Sequence, residues 1–206
     1  MAERLSMRTL GALASSVARF GYDRGDVSIG VAHLGPGAFH RAHQAWYFDR
    51  LLETDPRWGI SGVAPKSATV PDALGPQDGL YALVELEART SVRVIGAMTE
   101  VLCAPREPAA VLARLAAPAT RWLGLTVTEK GYGLTAEGDL DPGNADVAAD
   151  LAGPGTPRSA IGWIVAGLAG RRGAGLAPFV VASCDNLPAN GRKLRRGVLQ
   201  MASARD

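Results

Sequence analysis

The chain has 206 residues, of which 47% are hydrophobic, and a formal net charge of +2. This size and composition allow one well-packed domain over residues 26–206, and we expect a short N-terminal segment over residues 1–25 to precede it. The 22 basic residues include three lysines, and the arginines are spread along the chain. Because this spread excludes a concentrated basic face, we expect no nucleic-acid partner.

Membrane, metal and disulfide chemistry are not indicated either. No apolar run approaches the roughly 20 residues of a membrane span, and the acidic Glu3 argues against a signal peptide. We therefore expect a soluble, cytoplasmic protein with no membrane partner. Cys103 and Cys184 have no cysteine or histidine near them in the sequence, which favours two reduced thiols over a disulfide. The histidines all lie between His33 and His43 and lack further ligands, so no metal is expected.

Apolar runs and helical spacing divide the chain into alternating elements. We predict a helix and an entry loop within residues 1–25. Strands are predicted at Val27–Leu34, Trp58–Val63, Leu80–Leu86, Val92–Ile95, Trp122–Val127 and Phe179–Ala182. Helices are predicted at Ala38–Leu52, Pro108–Leu115, Ala160–Leu168 and Lys193–Ala202, with a polar excursion of few core residues at Thr135–Pro157. This alternation predicts an α/β fold with a doubly wound, mainly parallel sheet of the Rossmann type.

The turn after the first long strand is the most informative segment. The run Val27–Leu34 ends at Gly35, a second glycine follows at Gly37, and helix-compatible sequence begins at Ala38. In such a unit the first glycine permits a tight turn, the second lets the backbone approach a pyrophosphate, and the helix start offers free N–H groups. His40 stands where the usual G-x-G-x-x-G pattern has its third glycine. On this segment alone, a phosphate-binding turn and an ordinary turn both stay open.

The end of the second strand bears on the choice of cofactor. Sheets that bind NAD usually carry an acidic residue there, which holds the ribose hydroxyls. Here the strand exits into Ala64-Pro-Lys-Ser-Ala-Thr69, which has no acidic residue. Lys66 and Ser67 are suited to a 2′-phosphate, which favours NADP, whereas a solvated loop lysine is the more frequent role. The residues leave both roles open.

The segment Gly35-Pro-Gly-Ala-Phe-His-Arg-Ala-His-Gln44 resembles the G-x-G-x-F-H-R-A-H-Q signature of the long-chain mannitol dehydrogenase family. That family includes mannitol 2-dehydrogenases and the reductases for fructuronate and tagaturonate. Five further segments match in the family's order: Trp58-Gly-Ile-Ser-Gly-Val63, Gln77-Asp-Gly-Leu-Tyr81, Val92-Arg-Val-Ile-Gly96, Thr126-Val-Thr-Glu-Lys-Gly-Tyr132 and Ser183-Cys-Asp-Asn-Leu-Pro-Ala-Asn-Gly191. The likeness covers nearly the whole chain from Val27 to Ala202.

The resemblance implies hydride transfer between a nicotinamide cofactor and a polyol or its keto sugar, without a metal. The cofactor is NAD, with NADP as the alternative. Family members have an N-terminal dinucleotide-binding domain and then a mostly helical domain, which carries the catalytic lysine in a K-x4-N-x2-H motif. An asparagine of the S-C-D-N segment orients the reacting oxygen, and it matches Asn186 here. Without the resemblance, Asp185-Asn-Leu-Pro188 is typical of a turn with a helix-capping acid.

The candidate cofactor contacts lie at the ends of three strands. They are His33, Gly35, Pro36, Gly37, Ala38, Phe39, His40 and Arg41 around the first turn, Lys66 after the second strand, and Thr128, Glu129 and Lys130 after the strand Trp122–Val127. Several have a simpler interpretation. His40 would pack between helix and sheet, Arg41 would lie on the surface, and Glu129 and Lys130 would be a charged loop pair, with Lys130 distinct from the family's catalytic lysine.

The family's catalytic base is not found in the sequence, since none of the three lysines begins a K-x4-N-x2-H motif. We therefore expect the NAD(P)-binding half of a polyol or hexuronate oxidoreductase, converting D-mannitol to D-fructose or D-mannonate to D-fructuronate, and inactive alone. Substrate would bind only with the second domain, and the face that meets that domain would be bare and prone to association. The alternatives are an activity of the mannitol-1-phosphate 5-dehydrogenase type and a non-catalytic dinucleotide-binding module.

Overall fold

A computed structural model gives the fold and describes residues 3–153 and 155–205. Its strands are β1 (Val17–Ala18), β2 (Ile29–Leu34), β3 (Gly59–Ala64), β4 (Tyr81–Glu85), β5 (Ser91–Ile95), β6 (Met98–Cys103), β7 (Trp122–Leu125) and β8 (Val180–Ser183). Its α-helices are α1 (Ala38–Ala42), α2 (Gln44–Leu51), α3 (Thr69–Leu74), α4 (Pro108–Ala116), α5 (Ala145–Leu151), α6 (Ala160–Gly173) and α7 (Asn190–Arg205). Short 3-10 turns include Leu10–Ala12 and Glu129–Tyr132.

The larger sheet of the described part is parallel throughout, with the strand order β6-β3-β2-β7-β8. β2 lies at its centre, with His33 opposite Gly62 on one side and Gly124 on the other. From β2 the chain first adds β3 and β6, and then returns to add β7 and β8 on the other side. Such sheets bind ligands outside the carboxyl ends of the strands, where the strand order reverses. In this sheet that point lies between β2 and β7.

Hydrophobic cores cover both faces of this sheet. Leu34 and Leu125 belong to one core together with Trp163 of α6. Val31 and Ile60 belong to the other core, which includes residues of α2 and of the hairpin β4–β5. Since successive strand residues point to opposite faces, the central strands are buried on both sides. The predicted doubly wound, mainly parallel α/β fold is confirmed.

A smaller sheet has the strand order β1-β5-β4. β4 and β5 form an antiparallel hairpin near the strands predicted at Leu80–Leu86 and Val92–Ile95, so these strands lie outside the wound sheet. The third strand of the wound sheet along the chain is β6, at one edge of that sheet. The sequence did not predict it, because Thr99 and Glu100 interrupt its apolar run. β6 is an edge strand, where a polar side chain reaches solvent, and Glu100 pairs there with Arg114 of α4.

Two predicted helices need correction. The helix expected within residues 1–25 is absent from residues 3–25, where the structure has the turn Leu10–Ala12 and β1. The Arg19 side chain donates to the carbonyls of Leu10, the first residue of that turn, and Leu13, the residue after it. In a continuing helix these carbonyls would accept from backbone N–H groups. The helix expected at Ala38–Leu52 is broken at His43, which has φ −121° and ψ −81°. At the break the Arg41 carbonyl accepts from the Tyr81 hydroxyl, 2.7 Å away.

The segment Thr135–Pro157 contributes more to the fold than its polar composition indicates. It contains α5, whose Val147 is fully buried in the main core. Asp150 of the same helix is 4% exposed and accepts from the backbone N–H and the hydroxyl of Ser159, at 2.9 and 2.6 Å. These bonds fix the start of α6. The domain boundary after residue 25 stays a prediction, although β1 pairs with β5 across it.

Candidate functional site

A cleft of about 280 Å³ opens at the carboxyl ends of β2, β3 and β7, next to the point where the strand order reverses. The turns that follow these three strands form most of its wall. It is lined by Gly35, Pro36, Gly37, Ala64, Pro65, Lys66, Ser67, Thr69, Val70, Thr126, Val127, Thr128, Gly131, Arg158 and Ala160. The cleft therefore lies where an open α/β sheet binds its ligands.

Gly35 shapes the turn that leaves β2. Its φ of +85° lies in the left-handed region, and a Cβ at this position would stand 2.2 Å from the Thr126 carbonyl oxygen. Its N–H donates to the Val63 carbonyl of β3 at 2.9 Å. Both the backbone conformation and the close approach of the neighbouring chain exclude a side chain here. Gly35 thus has a structural role in forming the turn.

Gly37 differs from Gly35, because its extended backbone (φ −71°, ψ −175°) suits any residue. A Cβ at Gly37 would meet no atom closer than the Gly35 carbonyl oxygen, at 3.9 Å. The space beside Gly37 is the cleft itself. The missing side chain therefore leaves room for a ligand, next to the N–H groups of the first turn of α1, which have no helical acceptors.

A buried hydrogen-bond chain supports the turn from the sheet side. The Thr126 hydroxyl donates to the Gly35 carbonyl at 2.6 Å, and since it has a single hydrogen, it accepts from His33 Nε2–H at 2.8 Å. Burial, together with the adjacent His40, lowers the pKa of His33 well below its usual value. The neutral His33 lies beneath the turn, and a direct contact of it with a cofactor stays a prediction.

His40 fills the space between α1 and the sheet. It is completely buried, and its ring stacks on that of His33 with a centroid distance of 3.5 Å. The Gln44 amide nitrogen donates to Cys184 Sγ, so Gln44 Oε1 faces His40 Nδ1 at 3.0 Å and accepts its proton. Burial lowers the pKa of His40 to about 4. The structure places His40 in the packing position, and contact with phosphates stays a prediction.

Arg41 braces the same turn. Its guanidinium donates to the Pro36 carbonyl at 2.7 Å, and its own carbonyl accepts from Tyr81. The side chain therefore already has a backbone partner, and a phosphate contact stays a prediction. Pro36 lines the cleft, whereas Ala38 and Phe39 line a neighbouring pocket.

That second pocket, of about 370 Å³, shares Gly37, Thr126 and Thr128 with the cleft. Its other side is formed by the segment after β8, which contributes Cys184, Asp185 and Asn186. The structure thus brings Asn186 and the glycine turn to one pocket. This is the position in which an amide could act on a ligand seated over the turn.

Asp185 joins the carboxyl ends of β7 and β8. Its carboxylate accepts from the N–H groups of Val127 and Thr128, at 3.0 and 3.3 Å, and from the Tyr132 hydroxyl at 2.7 Å. Burial, and then the hydrogen bond to Asp185, raise the pKa of Tyr132, which therefore stays a donor. Thr128 has φ +66°, a strained conformation for a β-branched residue. Asp185 holds this segment in place across the site, whereas the sequence indicated a cap within its own turn.

The remaining candidates separate into two groups. Glu129 and Lys130 are exposed in the turn Glu129–Tyr132 and do not line either pocket, so their contact with a nicotinamide ribose stays a prediction. Lys66 lines the cleft and forms an ion pair with Asp146 of α5. Thr128 lines both pockets.

Sequence reasoning missed Thr126, Asp146, Arg158 and the bracing role of Asp185. Thr126 follows β7 directly, so the position of the strand end was a usable signal for it. Asp146 lies in the polar excursion Thr135–Pro157 and Arg158 directly follows it. No periodicity or motif there indicated that the chain returns to the cleft.

The described residues do not form a metal site, a membrane-spanning helix or a disulfide. Within residues 3–153 and 155–205, no three His, Cys, Asp or Glu side chains are grouped as a metal site. In the same part of the chain, no helix combines the length and apolar character needed to cross a membrane. Cys103 and Cys184 are free thiols.

Comparison with known proteins agrees with the geometry. The family model of the mannitol dehydrogenase Rossmann domain matches residues 29–206. Mannitol 2-dehydrogenase of Cereibacter sphaeroides is 43% identical over 94% of this chain and 42% of its own length. D-mannonate oxidoreductase of Escherichia coli (strain K12) is 43% identical over 92% of this chain and 40% of its own length.

A solved structure is similar in three dimensions. Mannitol 2-dehydrogenase of Pseudomonas fluorescens, in a ternary complex with NAD and D-mannitol, superposes with a TM-score of 0.92 and 39% identity, covering 98% of this chain and 42% of that one. The chain therefore spans about two fifths of the length of the relatives it matches. With the wound sheet and the glycine turn, these matches show that the chain belongs to the mannitol dehydrogenase family, whose Rossmann domain it contains.

Proposed function

We propose that this chain binds a nicotinamide dinucleotide in the cleft between β2, β3 and β7. The observation that carries the proposal is the pair of glycines after β2. Gly35 builds the turn, and Gly37 leaves open space beside the first N–H groups of α1. This arrangement suits a pyrophosphate, whose oxygens need close approach to backbone donors. The similar solved enzyme holds NAD, and NAD or NADP is the cofactor proposed here.

The wider proposal is the cofactor-binding half of a metal-independent polyol or hexuronate oxidoreductase. When bound, the nicotinamide ring accepts or supplies the hydride. The turn at Gly35–Gly37 holds the pyrophosphate, and the Asn186 amide donates to the reacting oxygen and stabilises the developing alkoxide. Because burial lowers the pKa of His33 and His40, both rings beneath the turn are uncharged at neutral pH.

The substrate is proposed from the names of the relatives, as D-mannitol with D-fructose or D-mannonate with D-fructuronate. Oxidation of an alcohol also requires a base that takes the hydroxyl proton. In the family that base is a lysine of the second domain, whose motif this sequence does not contain. We therefore propose that the chain alone binds cofactor without turnover, and that substrate binds only together with such a second domain.

A non-catalytic dinucleotide-binding module is the second candidate, because a Rossmann domain binds a dinucleotide without itself supplying a catalytic base. We propose a cytoplasmic location, which the free thiols Cys103 and Cys184 favour. Association through the face that would meet a second domain stays a prediction. An exposed apolar side chain, Phe39, lies at the second pocket and would favour such association.

Calorimetric titration of the 206-residue chain with NADH and NADPH tests the proposal. We expect saturable binding of at least one of them, and no response to either would overturn the proposed function. An assay of mannitol and mannonate oxidation then separates the candidates. The chain alone should give no turnover, and clear activity would contradict the argument from the missing lysine. If activity appears only when a family-type second domain is added, the enzyme is supported over the module.

A further inference from the structure

A cluster of three charges lies at the end of the cleft formed by the turn after β3. Lys66 in this turn pairs with Asp146, and the Arg158 guanidinium is 3.8 Å from the other oxygen of the same carboxylate. Lys66 follows β3, Asp146 belongs to α5, and Arg158 precedes α6. The fold thus gathers two cations and one anion from separate elements, which leaves one positive charge in excess.

The two cations are the accessible members of this cluster. The side chains of Lys66 and Arg158 are 64% and 63% exposed, whereas that of Asp146 is 26% exposed. Both cations line the cleft that holds Gly35 and Gly37. They also line an adjoining pocket of about 360 Å³, where Asp146 lies. Both cations therefore face the cleft that is open to a ligand, whereas Asp146 lines only the adjoining pocket.

The cluster of Lys66, Asp146 and Arg158 adds little to the stability of the fold, because an exposed ion pair contributes only about 0–1 kcal/mol to the free energy of unfolding. Two hydroxyl groups lie beside the cations, since Ser67 and Thr69 also line the cleft and their oxygens are 2.8 Å apart. One of these hydroxyls donates to the other, so one hydroxyl hydrogen stays available to a ligand. Two cations with one hydroxyl donor match the hydrogen-bonding needs of a phosphate.

The position in the fold identifies which phosphate. In a sheet of this type the pyrophosphate lies at the glycine turn after the first strand, and the adenosine ribose lies at the end of the second strand. The wound sheet begins with β2, so its second strand is β3. An acidic residue at the end of that strand would favour a ribose with a free 2′-hydroxyl. Here Lys66 occupies the turn instead.

We propose that Lys66 and Arg158 bind the 2′-phosphate of NADP and make this chain prefer NADP to NAD. Asp146 is the counter-ion that both cations share before the cofactor arrives, so its carboxylate competes with the 2′-phosphate for them. The inference rests on the proposed binding of a dinucleotide in this cleft, and it adds the identity of the cofactor and the residues that select it.

The test compares ligands that differ only in the 2′-phosphate. Calorimetry on the 206-residue chain measures NADPH against NADH, and adenosine 2′,5′-bisphosphate against 5′-AMP. We expect each ligand with the 2′-phosphate to bind at least roughly tenfold more tightly than its counterpart without it. This is the gain in affinity that one hydrogen bond between charged groups provides. Lys66→Ala and Arg158→Ala should each reduce this ratio, and Asp146→Asn should raise it. Added salt should weaken NADPH binding more than NADH binding.

Arg106→Ala is the matched control. Arg106 is a similarly exposed cation that forms an ion pair with Asp72, both side chains being 59% exposed, and neither residue lines the cleft. This variant should keep the wild-type ratio, and urea denaturation of every variant checks that the fold is intact.

The outcomes distinguish this inference from the proposed function. Equal binding of NADH and NADPH, or a Lys66→Ala variant that weakens both equally, would overturn the 2′-phosphate site while the dinucleotide cleft stands. Absence of binding for both dinucleotides would overturn the proposed function and this inference with it.

Discussion

The two turns that border the cleft are held in opposite ways. The turn after β2 rests on buried, neutral groups, with His33 stacked on His40 and Thr126 bonded to the Gly35 carbonyl. The turn after β3 is exposed, and its Lys66 is paired with Asp146 on the surface of the cleft. The first turn is fixed by the folding of the core, whereas the second can change its side chains without disturbing the fold. The part of a dinucleotide that never varies would meet the rigid turn, and the part that distinguishes NAD from NADP would meet the adjustable one.

The largest effect is expected at Gly35. We predict that Gly35→Ala lowers the free energy of unfolding by about 3 kcal/mol or more, because it adds both backbone strain and a steric overlap. Gly175→Ala is the matched control, since Gly175 also has a positive φ (+68°) but no atom within 4 Å of an added Cβ. It should lose only about 1 kcal/mol. Equal losses in urea denaturation would show that the turn after β2 is not sterically fixed.

A smaller effect should follow from the buried histidines. The pKa of His40 is about 4 in the folded chain and 6.5 as a free group, so the unfolded chain takes up protons first as the pH falls. Its contribution to stability is present above pH 6.5 and is lost towards pH 4. We predict a loss of about 2 kcal/mol between pH 7 and pH 5 from His40, with His33 acting in the same direction.

Urea midpoints at the two pH values measure this loss. The variant His40→Phe keeps an aromatic ring against His33 but cannot titrate, so its midpoint should depend less on pH than that of the wild type. A wild-type midpoint that does not move between pH 7 and pH 5 would contradict the assignment of neutral, buried rings.

The smallest effect on stability is expected in the turn after β3. Lys66→Ala removes an exposed ion pair, and such pairs add little to stability. The urea midpoint of this variant should therefore equal that of the wild type within error. A clear loss of stability would remove the contrast between the two turns, since Lys66 would then be part of the scaffold.

The fold was largely readable from the sequence because its signals are local. Buried parallel strands produce continuous apolar runs, as in β2 and β7, and the glycine turn has a spacing that follows from its geometry. β6 was missed because an edge strand admits polar residues such as Glu100. The break at His43 was missed because it depends on Tyr81, which is remote in the sequence.

The same distinction applies to the site. Gly35, Gly37 and Lys66 were candidates from their own segments, and Asn186 was a candidate through the family resemblance. All four line the two adjoining pockets. Asp146 and Arg158 were not identified, because their position depends on how the excursion after residue 135 folds back over the sheet. No local pattern encodes that return.

The central claim is that a dinucleotide pyrophosphate lies against Gly37, and the variant Gly37→Val tests it most directly. Valine suits the extended backbone there, and its Cβ meets no atom closer than 3.9 Å, so we expect an unchanged urea midpoint. Gly11→Val, at a second uncrowded glycine outside the cleft, serves as the control. Titrated with NADH and NADPH, Gly37→Val should lose binding at least roughly tenfold, while Gly11→Val binds as the wild type does. Unchanged binding by a folded Gly37→Val variant would contradict the placement of the cofactor over this turn.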